Sequence, residues 1–311
     1  MAIQDQGLNE DLRWPALPLE AWEATRTTLH MWTQIVGKVR LALSPSLNHW
    51  WQVPLYVSVR GLTTSPIPCG GGTFEILFDF VAHDLRIEKS DGTSKTLRLA
   101  PKSVAAFYAE VMAALAAMGI TVKIWTMPVE IPNPIRFDQD RTHASYDAEW
   151  ANRFWRVLVS VDTVLKEFRG RFAGKASPVH FFWGSFDLAA TRFSGRRAPE
   201  RPGADRITRE AYSHEVASVG WWPGDGVVQE PAFYAYAAPE PTGFAQATVR
   251  PAAARYDPKL AEFILPYEAV RLAASPRAAL LDFCQSTYEA AAILGGWDRA
   301  ALECDPVHVL D

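Results

Sequence analysis

Three cysteines in 311 residues, Cys69, Cys284 and Cys304, are too few and too scattered for a disulfide framework or a zinc knuckle. No apolar run approaches the roughly twenty residues that a membrane-spanning helix needs. The opening stretch, Met1 to Trp14, lacks a basic segment followed by an apolar one, so it does not read as a leader and a cytoplasmic protein is expected. The net charge of -4 gives no electrostatic drive toward nucleic acid or an anionic membrane surface. The seven histidines form no HxH, HxxxH or HExxH pattern. No metal site is expected from them, although His49, His180 and His214 could meet through a duplicated fold. Phosphate-loop and dinucleotide fingerprints are missing as well, and no cofactor is named by any motif.

What is present is a globular composition, 49% apolar and 21% charged, with twelve tryptophans. Trp is large and seldom fully buried, so several are expected to line a cleft or an interface. The chain also repeats itself weakly. Asn48-His49-Trp50-Trp51 opens the apolar segment Leu55 to Arg60. Val179-His180-Phe181-Phe182 opens another, running through Asp187 to Gly195. Each copy sets a histidine before aromatics and places a charge inside a strand-like run.

Periodicity predicts a first helix over 19–39, with Leu19, Trp22, Leu29, Trp32 and Val36 on an apolar face. Glu23, Arg26, Thr27, His30 and Gln34 form a polar stripe beside it, suited to wet surface or to a pocket wall. Strands are predicted over 55–62, 73–83, 85–88, 95–99 and 122–125, and a helix over 102–118 that ends at Gly119. The prolines of 128–134 mark a rigid crossover that would frame a site if it packs on the body. The second half predicts a helix over 146–168, strands over 178–191, 213–220 and 232–238, and a helix over 276–294 with Pro276 in its first turn. The expected fold is therefore α+β and internally duplicated. Each half is a curved antiparallel sheet backed by long helices: a first repeat over 1–127, a proline-rich crossover over 128–143 and a second repeat over 144–311, packed as one unit.

Several blocks are similar to a known family. They are Thr28 to Lys38, Asn48-His49-Trp50-Trp51, Arg60 to Thr64, Val179 to Ala189, Thr191 to Arg196, Tyr234-Ala235-Tyr236, Pro239-Glu240-Pro241 and Leu265 to Arg271. Together they resemble a bacterial family of uncharacterised function, DUF5996, across nearly the whole chain. The resemblance implies no activity and transfers no catalytic residue.

Candidate site residues must come from strand polarity. Strict alternation puts Asp187 on one face with Phe181, Trp183, Ser185 and Ala189, and Arg192 on the other. An aromatic and small-residue face looks like a pocket wall. Asp187 could instead pair with Arg60 or Arg26 as a buried brace. Glu215 falls among Ala217 and Val219, where a carboxylate needs a partner or a raised pKa. Asp79 shares a face with Glu75 and His83 that reads as solvent-facing. Trp221-Trp222-Pro223-Gly224-Asp225-Gly226 is a turn loaded with aromatics; Trp221, Tyr234 and Tyr236 could make a pocket floor.

The leading expectation is an enzyme on a small polar or anionic substrate. Asp187 and Glu215 are its candidate acid–base groups, His30, His49 and His180 their partners, and Arg60, Arg192, Trp183, Trp221, Tyr234 and Tyr236 its ligand contacts. A non-catalytic small-molecule binder and a structural protein that dimerises through its tryptophans are the alternatives. The chain is expected to be a monomer or a homodimer, with no nucleic-acid or membrane partner.

Overall fold

The computed structural model describes residues 13–225 and 228–304. The stretch before Arg13, Gly226 at the end of the aromatic turn, and His308 lie outside them. Two antiparallel sheets with flanking helices build the fold.

Helix α1, Leu19–Leu43, is buried on nearly all sides from Thr25 to Arg40. It is therefore a central element rather than a surface helix. Its apolar side meets the first sheet's helix, with Trp32 stacked on Phe107 at 4.5 Å between ring centres. The first sheet is built from β1 (Tyr56–Val57), β2 (Gly61–Thr63), β3 (Ile67–Cys69), β4 (Gly72–Asp79), β5 (Asp84–Lys89) and β6 (Ser94–Arg98). Their order is β1-β2-β4-β5-β6, with β3 paired to the far end of β4. Helix α2, Val104–Ala117, follows; the Ser103 hydroxyl caps it by accepting from the amide of Ala106.

No strand forms at 122–125. That stretch and the proline segment cross the molecule as extended chain, and α1 fastens them. The Gln34 side chain donates to Val129 O at 2.8 Å and accepts from Val129 N at 2.9 Å. The Lys38 ammonium donates to Trp125 O at 3.1 Å and to Met127 O. These backbone groups would otherwise have a strand partner; a helix side chain satisfies them instead.

Helix α3, Ala148–Gly170, begins at the Asp147 cap and buries Phe154, Val157, Val161, Leu165 and Phe168. The second sheet comprises β7 (His180–Phe182), β8 (Asp187–Arg197), β9 (His214–Trp222), β10 (Ala232–Ala238), β11 (Arg255–Asp257) and β12 (Glu262–Pro266), in the order β11-β12-β10-β9-β8-β7. The short helix α4, Arg206–Ala211, interrupts it between β8 and β9, and α5, Tyr267–Arg271, follows β12. Helix α6, Pro276–Leu294, starts with Pro276 in its first turn and ends at Gly295; α7, Arg299–Leu302, closes the described chain. The Leu55 and Phe181 backbones exchange both hydrogen bonds at 2.9 Å, which joins the two sheets edge to edge. One apolar core runs through both halves, from Phe78 and Phe107 to Phe154, Phe181 and Trp221.

The register of the second sheet sorts its side chains. His180 lies opposite Ala189, Ala189 opposite Gly220, and Gly220 opposite Tyr234. Side chains alternate between faces, so Asp187, Ala189, Thr191, Ser218, Trp222, Tyr234, Tyr236 and Glu262 share the face of His180. Leu188, Ala190, Arg192, Ala217, Val219, Trp221 and Phe233 take the other face, all buried in the core or against the helices. The expected single strand over 178–191 is broken at 183–186, where Phe186 has φ 61°. That turn moves Asp187 onto the face of Phe182 and takes it off the face of Phe181.

Candidate functional site

The open face of the second sheet is the floor of a cleft of about 1460 Å³. Helix α1 and the proline crossover wall one side; the segment around His49 to Val53 and helix α4 wall the other. The polar stripe of α1 is thus pocket wall from Arg26 onward, while Glu23 at its start stays exposed. Arg26, Thr27 and His30 line the cleft, and Gln34 is fully buried behind them.

Asp187 sits at the base of this cleft, 6% exposed. The Ser185 hydroxyl donates to its Oδ1 and the Tyr234 phenol to its Oδ2. Tyr234 stands two strands away, so its ring must cross β9. It can do so only because position 220 is glycine: a Cβ there would lie 2.4 Å from the phenol oxygen. Burial pushes the Asp187 carboxyl up to about 6, against the pull of the two hydroxyls.

The turn that carries Asp187 is held from three sides. The His30 ring donates through Nε2 to Gly184 O at 2.8 Å and lies 4.8 Å from the Phe186 ring. The Trp183 indole donates to Val53 O at 2.8 Å and packs on Gly37 of α1, where a Cβ would come within 2.3 Å of the ring. Glu130, on the crossover with φ 56°, reaches in over Gly184, whose missing Cβ would be 2.3 Å from its carboxylate. Burial raises the Glu130 carboxyl, and the charge of Asp187 raises it further. Glu262 on β12 is raised to about 7, by burial first and then by the charges of Asp187 and Asp257. Among the described residues no lysine or arginine forms an ion pair with Glu130, Asp187 or Glu262.

His180 is fully buried on the same sheet face, diagonal to Asp187 across β7 and β8. Rings of Trp51, Tyr56 and Phe182 surround it at 5.4 to 5.8 Å between centres. Neither ring nitrogen has a hydrogen-bond partner. A buried polar group left without a partner costs about 1–3 kcal/mol. Burial depresses the His180 imidazole to about 3, as it does His30, and both rings stay neutral near pH 7.

His49 does not head a strand; it lies in a 3-10 turn with φ 57°. Its Nδ1 donates to Glu210 O at 3.1 Å and its Nε2 accepts from the Lys175 ammonium at 2.7 Å. The Trp51 ring neighbours both His49 and His180. Among the described residues no group of three or more His, Cys, Asp and Glu side chains is placed to hold a metal ion.

Four expected site residues lie elsewhere. Arg60 pairs with Asp79 at 2.6 Å, and Arg86 joins them at 3.0 Å. Asp79 is fully buried, so the pairing made from strand polarity, Arg60 with Asp187, is replaced by a brace in the first sheet. Arg192 faces the helices, where its guanidinium stacks on Phe168, Phe172 and Tyr288 at 3.5, 4.9 and 4.3 Å. Glu215 is tied at the end of β9 to Arg196 at 2.7 Å and to the Ser194 hydroxyl at 2.8 Å. Trp221 is in the core; its neighbour Trp222 faces the cleft. Sequence reasoning missed Glu130 and Glu262. Glu262 carried a signal, an acid alternating with apolar residues in Glu262-Phe263-Ile264-Leu265. Glu130 carried none beyond its place in the crossover.

The model of one family matches residues 14–304. The chain belongs to DUF5996, a family of unknown function. No curated protein and no solved structure matches it. The match takes in both sheets and every cleft residue named above, so the cleft is part of the family's own fold unit. No helix among the described residues is long and apolar enough to cross a membrane.

Proposed function

We propose that the cleft binds a small polar molecule and that Asp187, with Glu262, exchanges protons with it. The observation that carries this reading is the Asp187 carboxyl itself: buried, held by two hydroxyl donors and no cation, and placed to titrate near pH 6. Glu262, a second carboxyl in the same cleft, is raised to about 7, by burial first. Two carboxyls, both raised toward neutrality by burial, suit the exchange of a proton with a bound molecule. The face between them offers the hydroxyls of Tyr234, Tyr236, Ser218 and Thr191 for orientation.

Asp187, His30, His49, His180, Trp183, Tyr234 and Tyr236 are the expected residues that keep a place in this proposal, because all line the cleft. The histidines enter as hydrogen-bonding and positioning groups, since His30 and His180 stay neutral. Arg60 and Arg192 lie outside the cleft, and among the described residues the cationic side chains left on its wall are Arg26, Lys38 and Lys123. A non-catalytic binder is favoured by the static bonds that already occupy Asp187 and His30. A dimer face of tryptophans has little behind it. Among the described tryptophans only Trp125 is exposed, and the Lys38 ammonium covers its ring at 4.6 Å.

Internal duplication, with repeats at 1–127 and 144–311 and a crossover at 128–143, is supported by the order shared by both halves: long helix, six antiparallel strands, long helix. The functional reading is tested by native mass spectrometry of freshly purified protein and by a thermal-shift screen of polar metabolites. The expected result is a retained or stabilising small molecule whose effect Asp187→Asn weakens at least tenfold. Hits that Asp187→Asn leaves unchanged, or no hit and no retained mass, refute it.

A further inference from the structure

The carboxyl end of the cleft has a composition that the proton-exchange reading does not by itself require. Glu130, Asp187 and Glu262 all line it, from the crossover, β8 and β12, and the charge of Asp187 bears on both glutamates. Neither Glu130 nor Glu262 accepts a hydrogen bond from the described protein, and none of the three has an ion-pair partner there. Asp187 is flanked on its own sheet face by Trp222, and Glu262 acts on both Tyr234 and Tyr236. Acids interleaved with ring faces are the surroundings that recognise an ammonium or amidinium group, through charge and through the ring quadrupole together. An independent observation comes from His180. It is fully buried, on the same sheet face, about 7 Å from Asp187 as diagonal strand neighbours are, and both its nitrogens lack partners. Its unused donor and acceptor point to a group supplied from outside the protein.

Resting on the reading of this cleft as a ligand site, we infer that its ligand carries a positively charged nitrogen. That nitrogen sits against the Asp187 carboxylate beside the Trp222 ring, with Glu130 and Glu262 as flanking charges on the cleft wall. A hydroxyl or carbonyl of the same molecule reaches His180. A cation at this position favours the ionised carboxylates, which makes them proton acceptors toward the bound molecule. Of the two cationic side chains that α1 brings to the cleft wall, Arg26 lies over the Phe186 ring with Asp225 and Glu23 as opposing charges, and Lys38 donates to Trp125 O and Met127 O.

The test uses the intact protein and three probes of one shape and three charges: tyramine, its alcohol analogue and its carboxylate analogue, with benzamidine as a second cation. Binding is read by calorimetry and saturation-transfer NMR. Tyramine and benzamidine are expected to bind, the alcohol roughly tenfold or more weakly, and the carboxylate weakest, as the loss of a charged hydrogen bond predicts. Glu262→Gln and Glu130→Gln, each on the cleft wall, are expected to weaken tyramine roughly tenfold while leaving the alcohol unchanged. Equal binding of alcohol and amine, or no amine binding below about 10 mM, overturns the cationic assignment. If the alcohol binds, or native mass spectrometry finds a neutral or anionic molecule retained, the ligand-cleft reading survives that failure. Silence of all four probes with no retained mass removes both.

Discussion

Replacing Asp187 by asparagine keeps the shape and removes the charge; one of the two hydroxyls must then turn to accept from the amide nitrogen. The Asp187 carboxyl lies at about 6 in the folded protein against 3.8 ordinarily. A folded state that holds its proton more tightly than the unfolded state is favoured at low pH. That stability is full below the unfolded value and is lost as pH rises through the folded one. A shift of about 2 units corresponds to about 3 kcal/mol over the whole range, of which about 1.5 kcal/mol falls between about pH 5 and about pH 7.5. His30 and His180 act in the opposite direction. Both are depressed from 6.5 to about 3, so their contribution is present above the unfolded value and lost as pH falls. The slope of the wild type alone is therefore mixed, and the diagnostic is the difference between wild type and Asp187→Asn, in which the histidines cancel. Urea denaturation at the two pH values should show the variant gaining on the wild type by about 1.5 kcal/mol as pH rises. With an m-value of about 3 kcal/mol/M, the gap between midpoints widens by about 0.5 M. A gap that stays constant with pH refutes the burial of an uncompensated carboxyl at this site, and with it the acid–base reading.

Gly220→Ala should cost about 1–3 kcal/mol in urea, because its methyl meets the Tyr234 ring and phenol and the Leu188 carbonyl; adding Tyr234→Ala, which removes the ring, should make the double variant less than additive. Arg192→Ala should cost about 3 kcal/mol or more in stability by opening a hole between Phe168 and Tyr288, with ligand affinity measured by calorimetry unchanged where the protein still folds. Gln34→Ala should speed amide exchange at Val129 by roughly tenfold or more through loss of its two bonds, read by hydrogen-exchange mass spectrometry of the crossover. Glu215→Gln should weaken the end of β9 by about 1 kcal/mol or less and leave cleft binding as it is.

The long helices were readable because their apolar residues recur at helical spacing and their ends carry local chemistry. The range 276–294, with Pro276 first and glycine after, coincides with α6. The parity that set Asp187 beside Ala189 and opposite Arg192 also held, because both lie on one unbroken strand. Parity failed where the chain turns. The break at 183–186 changed the neighbours of Asp187, and the turn at 58–60 split the expected strand into β1 and β2. Between Trp221 and Trp222, an alternation of one residue decides core or cleft, and only pairing with Tyr234 through Gly220 sets it.

The residues by themselves determined the antiparallel α+β class, the family and the presence of acids and rings in strand-like runs, since these follow from local period and from blocks of sequence. Which charges meet was decided by the tertiary structure alone. Arg60 and Asp79 are nineteen positions apart and form a brace, whereas Glu130, Asp187 and Glu262 come from three distant segments and line one cleft. Charges act through space and not along the chain, so the surroundings that raise Asp187 and leave His180 unpartnered exist only once α1, the crossover and the second sheet have closed around them.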